Sequence, residues 1–221
     1  MPIGENWVND RSRCPGCSHE LQSYELLPIF SYLIQGGKCR VCHMKIKPIY
    51  LLSEIVAGLL FVIPIMMYGF EGLENGTVYL AWAFLSMLII VTVSDIYYQM
   101  MLKKVILFFA IVILLLTGIY LPQYFLLGGI GAGLGFLMLY VFDLLKLPLL
   151  KQESLCKKYG KLYLVIGFLL GSLNTLLAFI ITLAIYAIYK ALLSKGKNKP
   201  MGLGIFISLI SYLCFLFQFI I

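Results

Sequence analysis

Two sets of residues in this chain have the types and spacing that chemistry requires. Four cysteines form two knuckles, Cys14-Pro15-Gly16-Cys17 and Cys39-Arg40-Val41-Cys42, separated by residues 18–38. This is close to zinc-ribbon spacing: each knuckle lets two thiolates reach one ion from a tight turn, and two knuckles complete a tetrahedral sulfur site. Four thiolates leave no open position, so the implied Zn2+ is structural. His19 and His43 each follow a knuckle. Either could replace a cysteine, although solvated or supporting groups outside the ligand set are the better reading. The second set is three carboxylates, Glu54, Asp95 and Asp143, inside or at the ends of long apolar runs. Acids there are expensive to bury and are functional candidates. Two close acids can share a proton, one activating a water while the other donates to a scissile carbonyl. No GxSxG, HExxH or P-loop offers a rival mechanism.

The elements that must position these groups follow from composition. The chain has 221 residues, 62% hydrophobic and 12% charged, with a mean hydropathy of +0.97. Such a composition excludes a water-soluble domain. Apolar runs recur at Ile49 to Tyr68, Val78 to Ser94, Val105 to Leu121, Tyr124 to Phe142, Leu162 to Tyr189 and Gly202 to Ile221. Most approach the roughly 20 residues that cross a bilayer as a helix. The expected fold is therefore an all-α polytopic membrane protein. A cytoplasmic four-cysteine module occupies residues 1–48 and a transmembrane domain residues 49–221. No cleavable signal peptide is visible in the opening MPIGENWVND.

Charge sets the direction of the spans. Of 17 Lys and Arg, six lie in the first 48 residues, two at Lys103 and Lys104, five from Lys146 to Lys161 and four from Lys190 to Lys199. Short basic loops stay in the cytoplasm, whereas GFEGLENGT at 69–77 carries two Glu and no base. The cysteine module is thus expected on the cytoplasmic side, where reducing conditions argue against the rival reading of two disulfides. Keeping the 190–199 cluster on that side requires the Leu162 to Tyr189 run to turn back, and the polar Gly171 to Asn174 offers the place. The result is about seven membrane segments, one pair forming a broken helix. The net charge of +7 is explained by this topology and by anionic headgroups, so no nucleic-acid partner is expected. The run GGIGAGLG from Gly128 to Gly135 reads as small-residue helix packing. YELLPIFSYL, between the knuckles, reads as a loop with an apolar face on the membrane surface. By position alone, Asp95 is an interfacial acid near Lys103 and Lys104, and Glu54 could pair with a neighbouring helix or line a cavity.

These residues resemble a family. RSRCPGC, the YELLPIFSYL spacer, GGKCRVC, IYLLSEIVAGLLF, SDIYYQ, the Lys161 loop and KPMGLGIFIS stand in the order found in bacterial type IV prepilin peptidases, polytopic GxGD-type aspartic peptidases that also process competence pseudopilins. The resemblance places one catalytic acid at Asp95. The second belongs to a GxGD motif followed by Lys-Leu and a later Gly. Aligning Lys161, Leu162 and Gly167 puts Cys156 and Lys158 at the two glycines and Tyr159 at the Asp. The proline usual after the first Asp is absent from DIYYQMMLKK. A phenol with a pKa near 10 neither deprotonates water at neutral pH nor shares a proton as an acid pair does.

The resemblance implies cleavage of a basic leader from type IV prepilins or competence pseudopilins at the cytoplasmic face of a bacterial plasma membrane. It also implies methylation of the new N-terminus with S-adenosylmethionine in many members. In this chain cleavage would need Asp143, or less well Glu153, to complete the pair with Asp95. The alternative is an inactive member that binds pilin-like helices without cutting them. Glu54 belongs to the family pattern. PIGEN resembles the segment after the family's first transmembrane helix, which gives seven expected segments where the family has eight, through a misassigned start or a truncation. A transporter built on Glu54 and the broken helix is disfavoured because no inverted repeat is visible.

Overall fold

A computed structural model describes residues 12–98, 102–144, 155–193 and 202–218. The described residues fall into two compact units divided between Val62 and Ile63. All regular structure among them is helical, apart from isolated antiparallel bridges Arg13 to Glu20 and Lys38 to Lys45.

In the first unit the two cysteine knuckles repeat one geometry. Cys14 N–H donates to His19 O and Cys39 N–H to Met44 O, each at 2.9 Å. The residue after each second cysteine, Ser18 at φ 56° and His43 at φ 57°, turns left-handed to close its hairpin. A 3-10 turn at Ser23–Leu26 and the short α1 (Phe30–Ile34) link them. Then α2 (Pro48–Glu74) begins, with Gly69 at φ 60°, ψ −158° breaking its helical path. The acidic segment expected as a loop at 69–77 is therefore partly helical, resuming for a turn beyond Gly69.

The second unit contains α3 (Thr77–Tyr98), α4 (Lys103–Tyr120), α5 (Tyr124–Leu144), α6 (Leu155–Leu193) and α7 (Leu203–Gln218). Five helices, α2 to α6, are long and apolar enough to cross a membrane, and α7 is a shorter apolar helix. As a straight rod α6 would extend about 58 Å, nearly twice a bilayer's hydrocarbon core. It does not run straight. Gly171 adopts φ 70°, ψ −174°, a conformation open to glycine but strained for any residue with a Cβ. The rings of Tyr163 and Phe179 then meet at 5.7 Å, although a straight helix would part them by about 24 Å. The chain doubles back at Gly171, so α6 is a hairpin of two legs, at the polar break that charge bookkeeping required.

The glycine run in α5 supports this hairpin. Gly128, Gly131 and Gly135 share one buried face, and a Cβ on Gly131 would land on the carbonyl oxygen of Gly167. Backbones this close gain dispersion and exclude lipid, the means by which membrane helices associate without a hydrophobic drive. On the other side α3 presents Leu80, Ala81, Phe84, Met87, Leu88, Val91 and Asp95, all buried. Their three- and four-residue spacing makes one helical face. Phe84 meets Phe215 of α7 at 5.4 Å between ring centroids, and Tyr186 and Tyr189 of the second α6 leg flank Phe206 of α7. Together α3, α6 and α7 close around the end of α3 that carries Asp95.

Candidate active site

Asp95 is fully buried, at 0% exposure. Lys158 Nζ lies 2.8 Å from its Oδ1, and the Tyr159 hydroxyl donates towards Oδ2 at 3.2 Å and, more weakly, Oδ1 at 3.4 Å. Gly204 N–H donates to Oδ2 at 2.9 Å. That amide is in the first turn of α7, so the positive end of the helix dipole also faces the carboxylate. A Cβ on Gly202 would overlap Oδ2, and one on Gly204 would lie 2.6 Å from it. The carboxylate thus fills the space where side chains at the start of α7 would stand.

The reading of Asp95 as an interfacial acid near Lys103 and Lys104 does not survive this geometry. Its cation is Lys158, from the stretch aligned with the second catalytic motif. The chemical consequence follows from the partners: a carboxylate held by an ammonium, a phenol and an amide has, among the described residues, no second acid with which to share a proton. Tyr159 stands against Asp95 where a second acid would, and its hydroxyl donates to Asp95, but a phenol cannot act as the proton-accepting partner at neutral pH.

Asp143 is engaged elsewhere. Its Oδ1 accepts from Leu155 N–H at 2.9 Å and its Oδ2 from Cys156 N–H at 2.8 Å, satisfying two amides in the first turn of α6 that lack intrahelical acceptors. Cys156 is only partly buried and Lys161 is exposed. Glu153 lies outside the described residues. The pairing of Lys158 with Asp95 and the backbone cradle of Gly202 and Gly204 were not read from the sequence. Their only signals were a lysine in a motif that calls for glycine and the KPMGLG string before the last helix.

The four cysteines converge. Sγ atoms of Cys14, Cys17, Cys39 and Cys42 all lie within 4.8 Å of one another, with Cys14 to Cys42 at 3.7 Å and Cys17 to Cys39 at 3.9 Å. A tetrahedral zinc with bonds of about 2.3 Å needs sulfurs about 3.8 Å apart. The set therefore fits structural Zn2+, which would cross-link the knuckles. The amides of Cys42 and Val41 hold the Cys39 thiol down at about 6, against an ordinary 9.0. At Cys17 the lowering by the His19 amide is outweighed by desolvation and the neighbouring thiols, which push it up to about 12. His19 stands outside the cluster, its Nε2 3.4 Å from Glu25 Oε2.

Glu54, which had no assigned partner, accepts the backbone N–H of Ile29 through Oε2 at 2.7 Å.

Comparison with known proteins agrees with these features. The family pattern described as Bacterial Peptidase A24 N-terminal domain matches residues 1–68, which include both knuckles and Glu54. A "Prepilin leader peptidase/N-methyltransferase" of Bacillus subtilis is 31% identical over 98% of this chain and 86% of its own length. Proteins of the same name match shorter stretches. The one from Pseudomonas aeruginosa is 36% identical over 38% of this chain and 29% of its own length. The one from Myxococcus xanthus is 39% identical over 31% and 21%. No solved structure matches. With the knuckles, the buried Asp95 and a relative matched over 98% of this chain and 86% of its own length, the chain belongs to the bacterial prepilin leader peptidase/N-methyltransferase family of membrane proteases.

Proposed function

We propose that this chain engages the leader region of type IV prepilins or competence pseudopilins at the Asp95 site, and that in this copy the two-acid cleavage reaction is silenced by Lys158 and Tyr159. Family membership supports the substrate. One observation carries the silencing: both oxygens of a fully buried Asp95 are occupied by Lys158, Tyr159 and Gly204. In a two-acid mechanism one carboxylate takes a proton from water while the other gives one to the carbonyl. Here the position facing Asp95 holds a permanent donor that cannot take a proton back near neutral pH. Methylation of the processed N-terminus by S-adenosylmethionine needs the free amine that cleavage creates, so silencing also removes the methyl acceptor. The distribution of Lys and Arg supports a cytoplasmic position for the 1–48 module and for this end of the 49–221 domain.

A second reading is an active endopeptidase with Asp143 as the partner acid. It is favoured by the bond from Cys156 N–H to Asp143, which ties that carboxylate to the leg carrying Tyr159. Cleavage of a co-expressed prepilin in membranes, followed as a mobility shift, separates the two. The expected result is no cleavage by the parent, retained co-purification of the uncut precursor, and cleavage on introducing Tyr159→Asp with Lys158→Gly and Cys156→Gly. Parent cleavage lost in Asp95→Asn and Asp143→Asn would overturn silencing in favour of the second reading. Failure to retain the precursor would remove the recognition claim.

A further inference from the structure

The spacer between the knuckles is held in an unusual conformation by a residue of a membrane helix. Ile29 has φ 64°, ψ −53°, and Phe30 N–H reaches back to Pro28 O at 2.6 Å. Together these make a γ-turn of the rare, strained class, at a β-branched residue that avoids positive φ. Strain of this kind persists only where the surroundings over-determine it. The restraint here is the carboxylate of Glu54, which accepts the N–H of the strained residue at 2.7 Å.

Glu54 sits on α2, about 8 Å along the helix from Ile49 at 1.5 Å per residue. Around it Leu52, Ile55, Val56 and Leu59 are exposed, the condition of a helix whose apolar surface meets lipid. A spacer tied at that level lies beside a membrane span, not above it. Its own side chains agree: Leu26, Leu27, Phe30, Leu33 and Ile34, large apolar residues within nine positions, are 51–82% exposed, and a concentration of exposed apolar side chains like this marks an interaction surface. Exposed Lys38, Arg40, Lys45 and Lys47 flank it, and their charge suits anionic headgroups.

We propose that residues 26–34 form an interfacial anchor inserted into the lipid at an anionic bilayer surface, and that Glu54 is the positioning residue that sets its depth. Its apolar side chains enter to ~5–10 Å, as interfacial helices do, which matches the level of Glu54 on α2. Continuity with the lipid-facing surface of α2 and the basic flank select the bilayer as the occupant. The acid in the first span is thereby explained without catalysis: it satisfies an amide carried into the membrane boundary, where an unpaired N–H is costly.

The test uses the full chain in phosphatidylcholine–phosphatidylglycerol vesicles, in a Trp7→Phe, Trp82→Phe background with Phe30→Trp as the single reporter. Shallow-brominated lipids are expected to quench the reporter strongly and aqueous iodide weakly. Glu54→Gln, which keeps an acceptor oxygen, should retain this pattern, whereas Glu54→Ala should lose most lipid quenching and gain iodide quenching. Zinc content, unchanged across the series, shows that the knuckles remain folded. Iodide quenching in the parent would place the face in water and overturn the anchor. Protection from both quenchers would mean that protein covers it and overturn the lipid assignment. An unchanged Glu54→Ala pattern would overturn the role of Glu54, and equal lipid quenching in vesicles without phosphatidylglycerol would overturn the role of charge.

Discussion

Replacing Lys158 by Met keeps the aliphatic stem and removes the ammonium 2.8 Å from Asp95 Oδ1. Asp95 is 0% exposed, whereas the Lys158 side chain is 23% exposed, so the two partners are unequal. Breaking a buried ion pair by deleting one member costs about 3–5 kcal/mol, because the remaining charge is stranded. Partial solvent access at Lys158 and the surviving Gly204 amide argue for the lower end, about 3 kcal/mol. For a chain of this size that corresponds to a fall in Tm of about 6–12 °C. Asp95→Asn is expected to cost less, about 1 kcal/mol, since the amide oxygen still accepts from Gly204 and Lys158 can turn towards water. The double variant strands nothing. It should cost about 2 kcal/mol, below the roughly 4 kcal/mol of the summed singles, a coupling of about 2 kcal/mol. Thermal unfolding of the four proteins in detergent micelles measures this cycle. A Lys158→Met protein as stable as the parent, or a double variant no better than the sum of the singles, would refute the stranded-charge reasoning and with it the claim that Lys158 occupies the partner position.

Two further outcomes test the supporting structure. The purified chain should release one zinc per molecule to a colorimetric chelator after mercurial treatment, and Cys14→Ser or Cys42→Ser should lower that content by about tenfold or more, since loss of a thiolate opens a closed site. In α5, Gly131→Ala should destabilise by about 1–3 kcal/mol because its Cβ meets the Gly167 carbonyl. Gly133→Ala, with nothing within 4 Å, should be neutral or gain up to about 1 kcal/mol in the same unfolding assay.

The α6 hairpin marks how far local information reaches. A run too long for one crossing, a polar GSLN in its middle and a basic cluster after it made the turn at Gly171 legible, because bilayer thickness and loop charge act on each segment separately. Asp95 marks the limit. The alignment placed Tyr159 opposite it, but a lysine beside that tyrosine read only as a lost glycine. The lysine's pairing with an acid 63 residues earlier in the chain depended on how α3 met the first α6 leg. Glu54 was equally opaque, since its partner is a backbone amide in a strained turn and no side-chain pattern announces a backbone donor.

The membrane segments, the break in the long run and the two thiolate knuckles are therefore legible from residue order alone. Transfer free energy and tight-turn chemistry are properties of short stretches and need no partner. The surroundings of the acids came from the packed fold: Asp95 on Lys158, Tyr159 and the start of α7, Asp143 on the first turn of α6, Glu54 on Ile29. A buried carboxylate must take whatever donors the packed helices bring within about 3 Å, and helix packing is decided by all the helices together.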